Sequence, residues 1–407
     1  MINDNNQFNI EEKVKELFIK NRRTSGNYQY TLPSPGSYPY QWFWDSCFHA
    51  IILSHFDMKS AKEELRSLIS KQFKNGLLPH IIYWEKHEVM NVDWDAEGTS
   101  SLAQPPLIAY AVKNIYKKEN DISFVKEMFA PMDRYYRHLL TRDPRKSHLV
   151  GLINPDESGE DNSPRFDIPL GLEPTQRFSE NNLKRFNLFE KSRKCGFDNV
   201  DCTRNLFWVK DVAFSAYLIE NFVCMSELAC EIKERESEAF YIGQREMMTK
   251  AMRERMYEDG IFWTIHGSNY EKIKVKTWAI FAPLIGGLYT EDEAKNLIKN
   301  HLRNEKEFWT PFIIPTTAKS ETSYFPGERS GPVWLRPNWR GPIWIAPNWF
   351  VYRGLKKYGF HEEANIIREK SLELVEKSGF REYYHPETGQ GLGAFDFTWG
   401  GLVLDME

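Results

Sequence analysis

DSCFHAIILSHFDMKSAKEELRSLISKQF, residues 45–73, holds two helical patterns on either side of a tight break. In the second, Ala61, Leu65, Leu68, Ile69 and Phe73 recur at helical spacing behind Asp57, whose carboxylate can accept from the free N–H groups of a first turn. The first ends only a few residues earlier, and so short a link makes the two helices antiparallel neighbours. Read outward from this hairpin, the pattern predicts twelve helices, near 10–21, 45–55, 58–73, 101–117, 122–143, 208–233, 237–257, 275–286, 291–302, 342–357, 361–378 and 397–405. Links after even-numbered helices are short and links after odd-numbered ones are long, so in an up-down array all the long links gather at one end. Six helical hairpins closed into a ring describe an all-α (α/α)6 barrel with long loops at one mouth. No Pro/Gly/Ser linker interrupts it, which predicts a single catalytic domain over 1–407. Thr290 with Glu293 forms a capping box, Lys356, Lys357 and Gly359 mark a helix end, and Pro131 should kink the fifth helix.

A net charge of -4 and a pI near 6.3 leave no basic stripe, which excludes nucleic-acid and anionic-membrane partners. The polar, acidic start MINDNNQFNIEEKVKELF is unlike a signal peptide, and the apolar stretch 277–289 is too short to span a bilayer, so a soluble, cytoplasmic protein is expected. A homo-oligomer is compatible with the sequence. The odd set Cys47, Cys195, Cys202, Cys224 and Cys230 has no metal or redox spacing and reads as reduced thiols. Ten histidines without a His-x-x-x-His pair argue for no metal and no cofactor.

The chain is 14% aromatic, and aromatic faces serve both cores and sugar rings, so position must separate the uses. Eight tryptophans, Trp42, Trp44, Trp84, Trp94, Trp263, Trp309, Trp334 and Trp339, fall in or beside the long loops. One of those loops contains GLINPDESGEDNSPRFD, 151–167, with Asp156, Glu157, Glu160, Asp161 and Asp167 among turn residues. Alone it reads as a solvated acidic turn. Another long loop holds Glu382 in FREYYHPETGQGLG, 380–393, so two carboxylates can face one cavity. YPYQWFWD, 38–45, combines Trp42 and Trp44 with the acceptor Asp45, and NWRGPIW, 338–344, adds Trp339, Arg340 and Trp344. Acetal hydrolysis needs one carboxyl kept protonated for the leaving oxygen and another kept ionised to activate water. Neither a phosphate-binding glycine loop nor a Gly-x-Ser-x-Gly elbow is present.

Taken together, YPYQWFWDSCFHA, NGLLPHIIYW, AQPPL, ESGEDNSPR, NWRGPIW and EYYHPETGQGLGAFDFTW resemble the glycoside hydrolases of the glucosidase I and trehalase type. The likeness is strongest to the bacterial mannosylglycerate and glucosylglycerate hydrolases of glycoside hydrolase family 63, and runs from about residue 36 to the C-terminus. It implies an inverting enzyme acting on a small α-glucoside or α-mannoside, with Asp161 as general acid and Glu382 as general base. It further implies that Tyr38, Trp42, Trp44, Asp45, Gln104, Trp339 and Trp344 line the sugar and leaving-group pockets, with Arg165 and Arg340 beside them. Two departures fall on the leaving-group side: segment 170–207 and Asn338 in place of a tyrosine. A glycerate carboxylate would call for a cation, with Arg204, Arg329 or a loop lysine as candidates. Two other readings stay open: a sugar isomerase or epimerase on the same ring, which would need paired histidines such as His80 or His385, and a non-catalytic carbohydrate-binding protein.

Overall fold

A computed structural model describes residues 9–85, 98–175, 178–327 and 338–407. Trp94, Trp334 and Arg329 lie outside the described residues. The first hairpin consists of α2 (Phe43–Leu53) and α3 (Met58–Ile69). Asp57 caps α3 by accepting from Ser60 N at 3.0 Å, and Ala61, Leu65 and Leu68 form its buried stripe. The remaining helices are α1 (Ile10–Asn21), α4 (Ile108–Glu119), α5 (Ile122–Leu140), α6 (Phe178–Lys194), α7 (Val200–Thr203), α8 (Val212–Ile232), α9 (Arg235–Arg255), α10 (Glu291–Leu297), α11 (Ile345–Lys357) and α12 (His361–Ser378). Thr290 and Glu293 close the capping box of α10, and α5 runs on through Pro131.

Two predicted helices are instead 3-10 helices, Trp278–Leu284 and Thr398–Asp405. Pro283 lacks the N–H an α-helix would use, and the second contains the pair Gly400–Gly401. At Gly401 a Cβ would stand 3.1 Å from Ile52 and 3.2 Å from Val14, so a larger residue would require these side chains to give way.

α2 packs on α4, α4 on α8, α8 on the 278–284 helix, that helix on α11, α11 on the 398–405 helix, and the last back on α2. α3, α5, α9 and α12 each lie against the preceding member of this cycle, and α1 against the 398–405 helix. One apolar cluster runs through all of them, from Val14 to Met406. α8 is long and apolar enough by composition to cross a bilayer, a feature sequence reading passed over; most of it is buried against α9, the 278–284 helix, α4 and α5, with Glu227 and Glu231 on its exposed side.

Three features differ from expectation. The predicted long link 144–207 contains α6, a polar helix whose apolar residues make no clean stripe. The long links also carry short antiparallel strand pairs, such as 22–25 with 28–31 and 381–384 with 391–395, each too brief to leave a period-two signal. Finally, Cys195 and Cys202 form a disulfide that ties the end of α6 to α7, so the expectation of five reduced thiols fails for these two. Cys47 and Cys224 are buried thiols and Cys230 is exposed.

Candidate active site

Tyr38, Trp42, Trp44, Asp45, Gln104, Asp161, Trp339 and Trp344 line one cavity, together with Pro33, His80, Asp156, Gly159, Asn338, Phe397 and Trp399. Trp42 stands at the N-cap of α2, with Trp44 and Asp45 in its first turn. Gln104 accepts from the Trp44 N–H at 3.0 Å and so satisfies a helix-end donor while fixing its own side chain. Burial pushes the Asp45 carboxyl up to about 6, against the opposing effects of His49 and of the Trp399 indole N–H, which donates to it at 2.7 Å.

The acidic loop sorts its carboxylates by partner. Glu157 is buried on Arg142 at 2.5 Å and on the Ala103 and Ile153 N–H groups at 3.0 and 2.9 Å. Glu160 takes both Arg165 Nη groups at 2.7 and 2.9 Å and the Trp278 indole N–H at 2.9 Å. Asp167 takes Arg340 at 2.6 and 2.9 Å. Only Asp156 and Asp161 are left to face the cavity. Between them the loop turns through Gly159 at φ +74, where a Cβ would collide with the Trp44 indole. The Gly in ESGED therefore serves both the turn and the seating of a wall tryptophan.

Arg165 and Arg340 are not part of the cavity wall, contrary to their expected place beside substrate. Arg165 is consumed by Glu160 and, through Nε at 2.8 Å, by Asp211. Arg340 also donates through Nε to the Asn162 carbonyl at 3.0 Å, while Asn162 Oδ1 accepts from the Trp339 N–H at 3.1 Å. The two arginines rivet ESGEDNSPR to α8 and to NWRGPIW, and thereby set where Asp161 and Trp339 stand. Arg204 sits at the end of α7 on Asp201, 3.0 Å away, and does not line the cavity.

Sequence reading missed Arg185, which projects from α6 and pairs with Asp161 Oδ2, with its Nε 3.5 Å from Asp156 Oδ2. Nothing in the polar sequence of α6 distinguishes this arginine from its neighbours; only the packing of α6 does. Burial raises Asp156 to about 7, partly offset by Arg185 and reinforced by the charge of Asp161. Trp399 was also missed as a wall residue, although it closes a motif already in view.

Glu382 is 1% exposed and lies just behind the wall. Its Oε1 accepts from the Tyr38 hydroxyl at 2.5 Å and its Oε2 from the Ala394 N–H at 2.7 Å. Burial and the charge of Glu382 hold the Tyr38 phenol far above its usual range, so it remains a donor. Trp339 and Trp344 stack with centroids 4.1 Å apart, and Trp399 meets Trp44 edge-on at 4.8 Å. Of the other loop tryptophans, Trp84 packs on Tyr30, Trp263 is in the core and Trp309 lies elsewhere on the surface. Among the described residues no group of three or more His, Cys, Asp or Glu could hold a metal ion.

Known proteins share this arrangement at the level of chain and fold. A mannosylglycerate hydrolase of Thermus thermophilus is 32% identical, over 96% of this chain and 98% of its own. A glucosylglycerate hydrolase of Mycolicibacterium hassiacum is 26% identical over 92% of this chain and 93% of its own. A crystal structure of the family 63 mannosylglycerate hydrolase of Thermus thermophilus, in complex with Tris and D-glycerate, superposes with a TM-score of 0.87 at 30% identity, covering 98% of this chain and 99% of that one. The family model for the mannosylglycerate hydrolase MGH1-like glycoside hydrolase domain matches residues 38–400, and the chain therefore belongs to that family and is a glycosidase.

Proposed function

We propose that the protein hydrolyses the α-mannoside or α-glucoside of glycerate with inversion, Asp161 serving as general acid and Glu382 as general base. The observation that carries this reading is the tryptophan-walled cavity with Asp161 in its wall and Glu382 directly behind Tyr38. The indole faces take the C–H faces of one sugar ring, and Asp45 accepts from a ring hydroxyl. Tyr38, kept protonated, donates to Glu382 and orients the carboxylate that draws a proton from water. Asp161 gives its proton to the leaving glycerate oxygen.

The cyclic packing of helices supports an (α/α)6 barrel in a single domain. We also place the enzyme in the cytoplasm and assign it no cofactor; treatment with EDTA should leave the rate unchanged, and a loss restored by a divalent ion would refute that assignment. A histidine-based isomerase is disfavoured because His80 is the one histidine on the cavity wall among the described residues, and burial lowers it to about 3. It is a neutral group bonded to Ser100 at 2.6 Å.

Proton NMR of the reaction with α-mannosylglycerate and α-glucosylglycerate tests the reading. The β-anomer of the free sugar should appear first, and Asp161→Asn should lose about 10²-fold or more in kcat. First appearance of the α-anomer would remove Glu382 from the role of base, and an unimpaired Asp161→Asn would remove Asp161 from that of acid.

A further inference from the structure

The loop after α5, the end of α7 and the strand Val209–Lys210 border a second cavity of about 270 Å³, which shares no lining residue with the tryptophan-walled one. Each of these segments contributes a cation to it: Arg145, Arg204 and Lys210. The carboxylate on the same wall, Asp143, is occupied by its own loop. It accepts from the Ser147 hydroxyl at 2.7 Å and the His148 N–H at 2.6 Å, and stands 3.4 Å from the Lys210 ammonium. Lys210 is 2% exposed, donates to the Leu149 carbonyl and lies over the Trp208 ring at 5.0 Å. Burial lowers it to about 8; Asp143 offsets this only in part, and Arg255 and Arg145 add to the lowering. Arg145 engages one nitrogen on the Ser268 carbonyl at 3.1 Å, and Arg204 one on the largely exposed Asp201 at 3.0 Å. A guanidinium has five donors, so both keep N–H groups for a ligand. Positive charge is in excess on this wall, and a cleft lined by one sign concentrates its potential.

We propose that this cavity is a second ligand site, which binds the phosphate group of a small phosphate monoester through Arg145, Arg204 and Lys210. Three cations from separate segments match the three terminal oxygens of such a group better than the two of a carboxylate. The volume lies just under the about 300–1,000 Å³ of pockets for drug-sized ligands, which limits the organic part to a few carbon atoms and leaves no room for a nucleotide.

The site backs onto the loop that carries Asp161. Val209, beside Lys210, accepts from the Leu152 N–H at 2.7 Å and donates to the Leu152 carbonyl at 3.4 Å. Asp211, on the other side of Lys210, holds Arg165, which in turn holds Glu160 next to Asp161. Trp208 closes over Gly151, where a Cβ would fall 2.4 Å from the indole. A phosphate shared by Arg145, Arg204 and Lys210 therefore draws the segment from 143 to 152 onto strand 209–210 and suppresses its local opening.

Thermal unfolding and calorimetric titration of the full chain test this, with inorganic phosphate and glycerol phosphate as ligands and chloride at equal ionic strength as reference. At saturation, phosphate should raise the thermal midpoint by about 2–4 °C over chloride. Its Kd should be of the order of 1 mM, with glycerol phosphate binding more tightly. Arg145→Gln and Arg204→Gln alter side chains near the surface, so both should keep the wild-type midpoint in chloride while each weakens phosphate binding about tenfold. Hydrogen exchange at the Leu152 amide should slow when phosphate is bound. No binding, a midpoint in phosphate equal to that in chloride, or wild-type affinity in both arginine variants overturns the proposal. Weaker binding of glycerol phosphate than of inorganic phosphate overturns the assignment to a monoester, and unchanged exchange at Leu152 in saturating phosphate overturns the bracing of the loop.

Discussion

Asp45 shows how one residue carries opposing demands. The first turn of α2 and the Trp399 N–H favour its charged form, burial opposes it, and the balance falls at about 6. The charged hydrogen-bond acceptor it offers a sugar hydroxyl is thus present above that value and gives way to a weaker, neutral one as pH falls through it. Between pH 7 and pH 5 the ionised share drops roughly tenfold, so KM should rise severalfold while kcat changes less. Asp45→Asn, which cannot titrate, should raise KM at pH 7 and flatten its pH dependence; a wild-type KM constant across this range would show that Asp45 does not hold the sugar. Asp45, Trp42 and Trp44 were legible in the sequence because helix entry, aromatics and an acceptor fall in eight consecutive residues. Arg185 was not, because its meaning lies in the distance from α6 to a loop some twenty residues earlier, and no local pattern encodes that distance.

Among elements, the loop 151–167 has the most to hold in place. Arg165 lies buried between Glu160 and Asp211, so Arg165→Ala strips the cation from two buried carboxylates and should cost about 3–5 kcal/mol, read as a fall in thermal midpoint. If the midpoint stays unchanged, the loop is held by something other than this pair. Gly159→Ala asks for a side chain at positive φ and against the Trp44 ring, and should weaken sugar binding about tenfold or more while the circular dichroism stays wild type. An unaltered KM would mean that the indole and loop can part without consequence. The hairpins were readable because caps and apolar stripes repeat locally, as at Asp57 and at Thr290 with Glu293. α6 was unreadable because its few apolar residues form no stripe, and the segments 278–284 and 398–405 are 3-10 rather than α-helical where Pro283 withholds an N–H and the Gly400–Gly401 pair permits a close approach to neighbouring elements.

For the whole molecule, the continuous core from Val14 to Met406 ties the first helix to the last segment, so thermal unfolding should follow one cooperative transition with calorimetric and van't Hoff enthalpies in agreement. Two resolved transitions would show that the chain is divided into independently folding units. What the sequence determined by itself is the register of helices and links: turn chemistry and 3.6-residue periodicity act over a few neighbours, and the alternation of short and long links follows from them. Its motifs likewise carried the family, the two candidate carboxylates and most of the aromatic wall. Only the tertiary structure decided which of five acidic residues in one loop face the cavity, because that depends on which arginine each one meets: Arg142 for Glu157, Arg165 of the same loop for Glu160, Arg340 for Asp167. It also decided that Arg185 meets Asp161 and that Glu382 stands behind Tyr38, since buried charges are placed by long-range packing, which local sequence does not record.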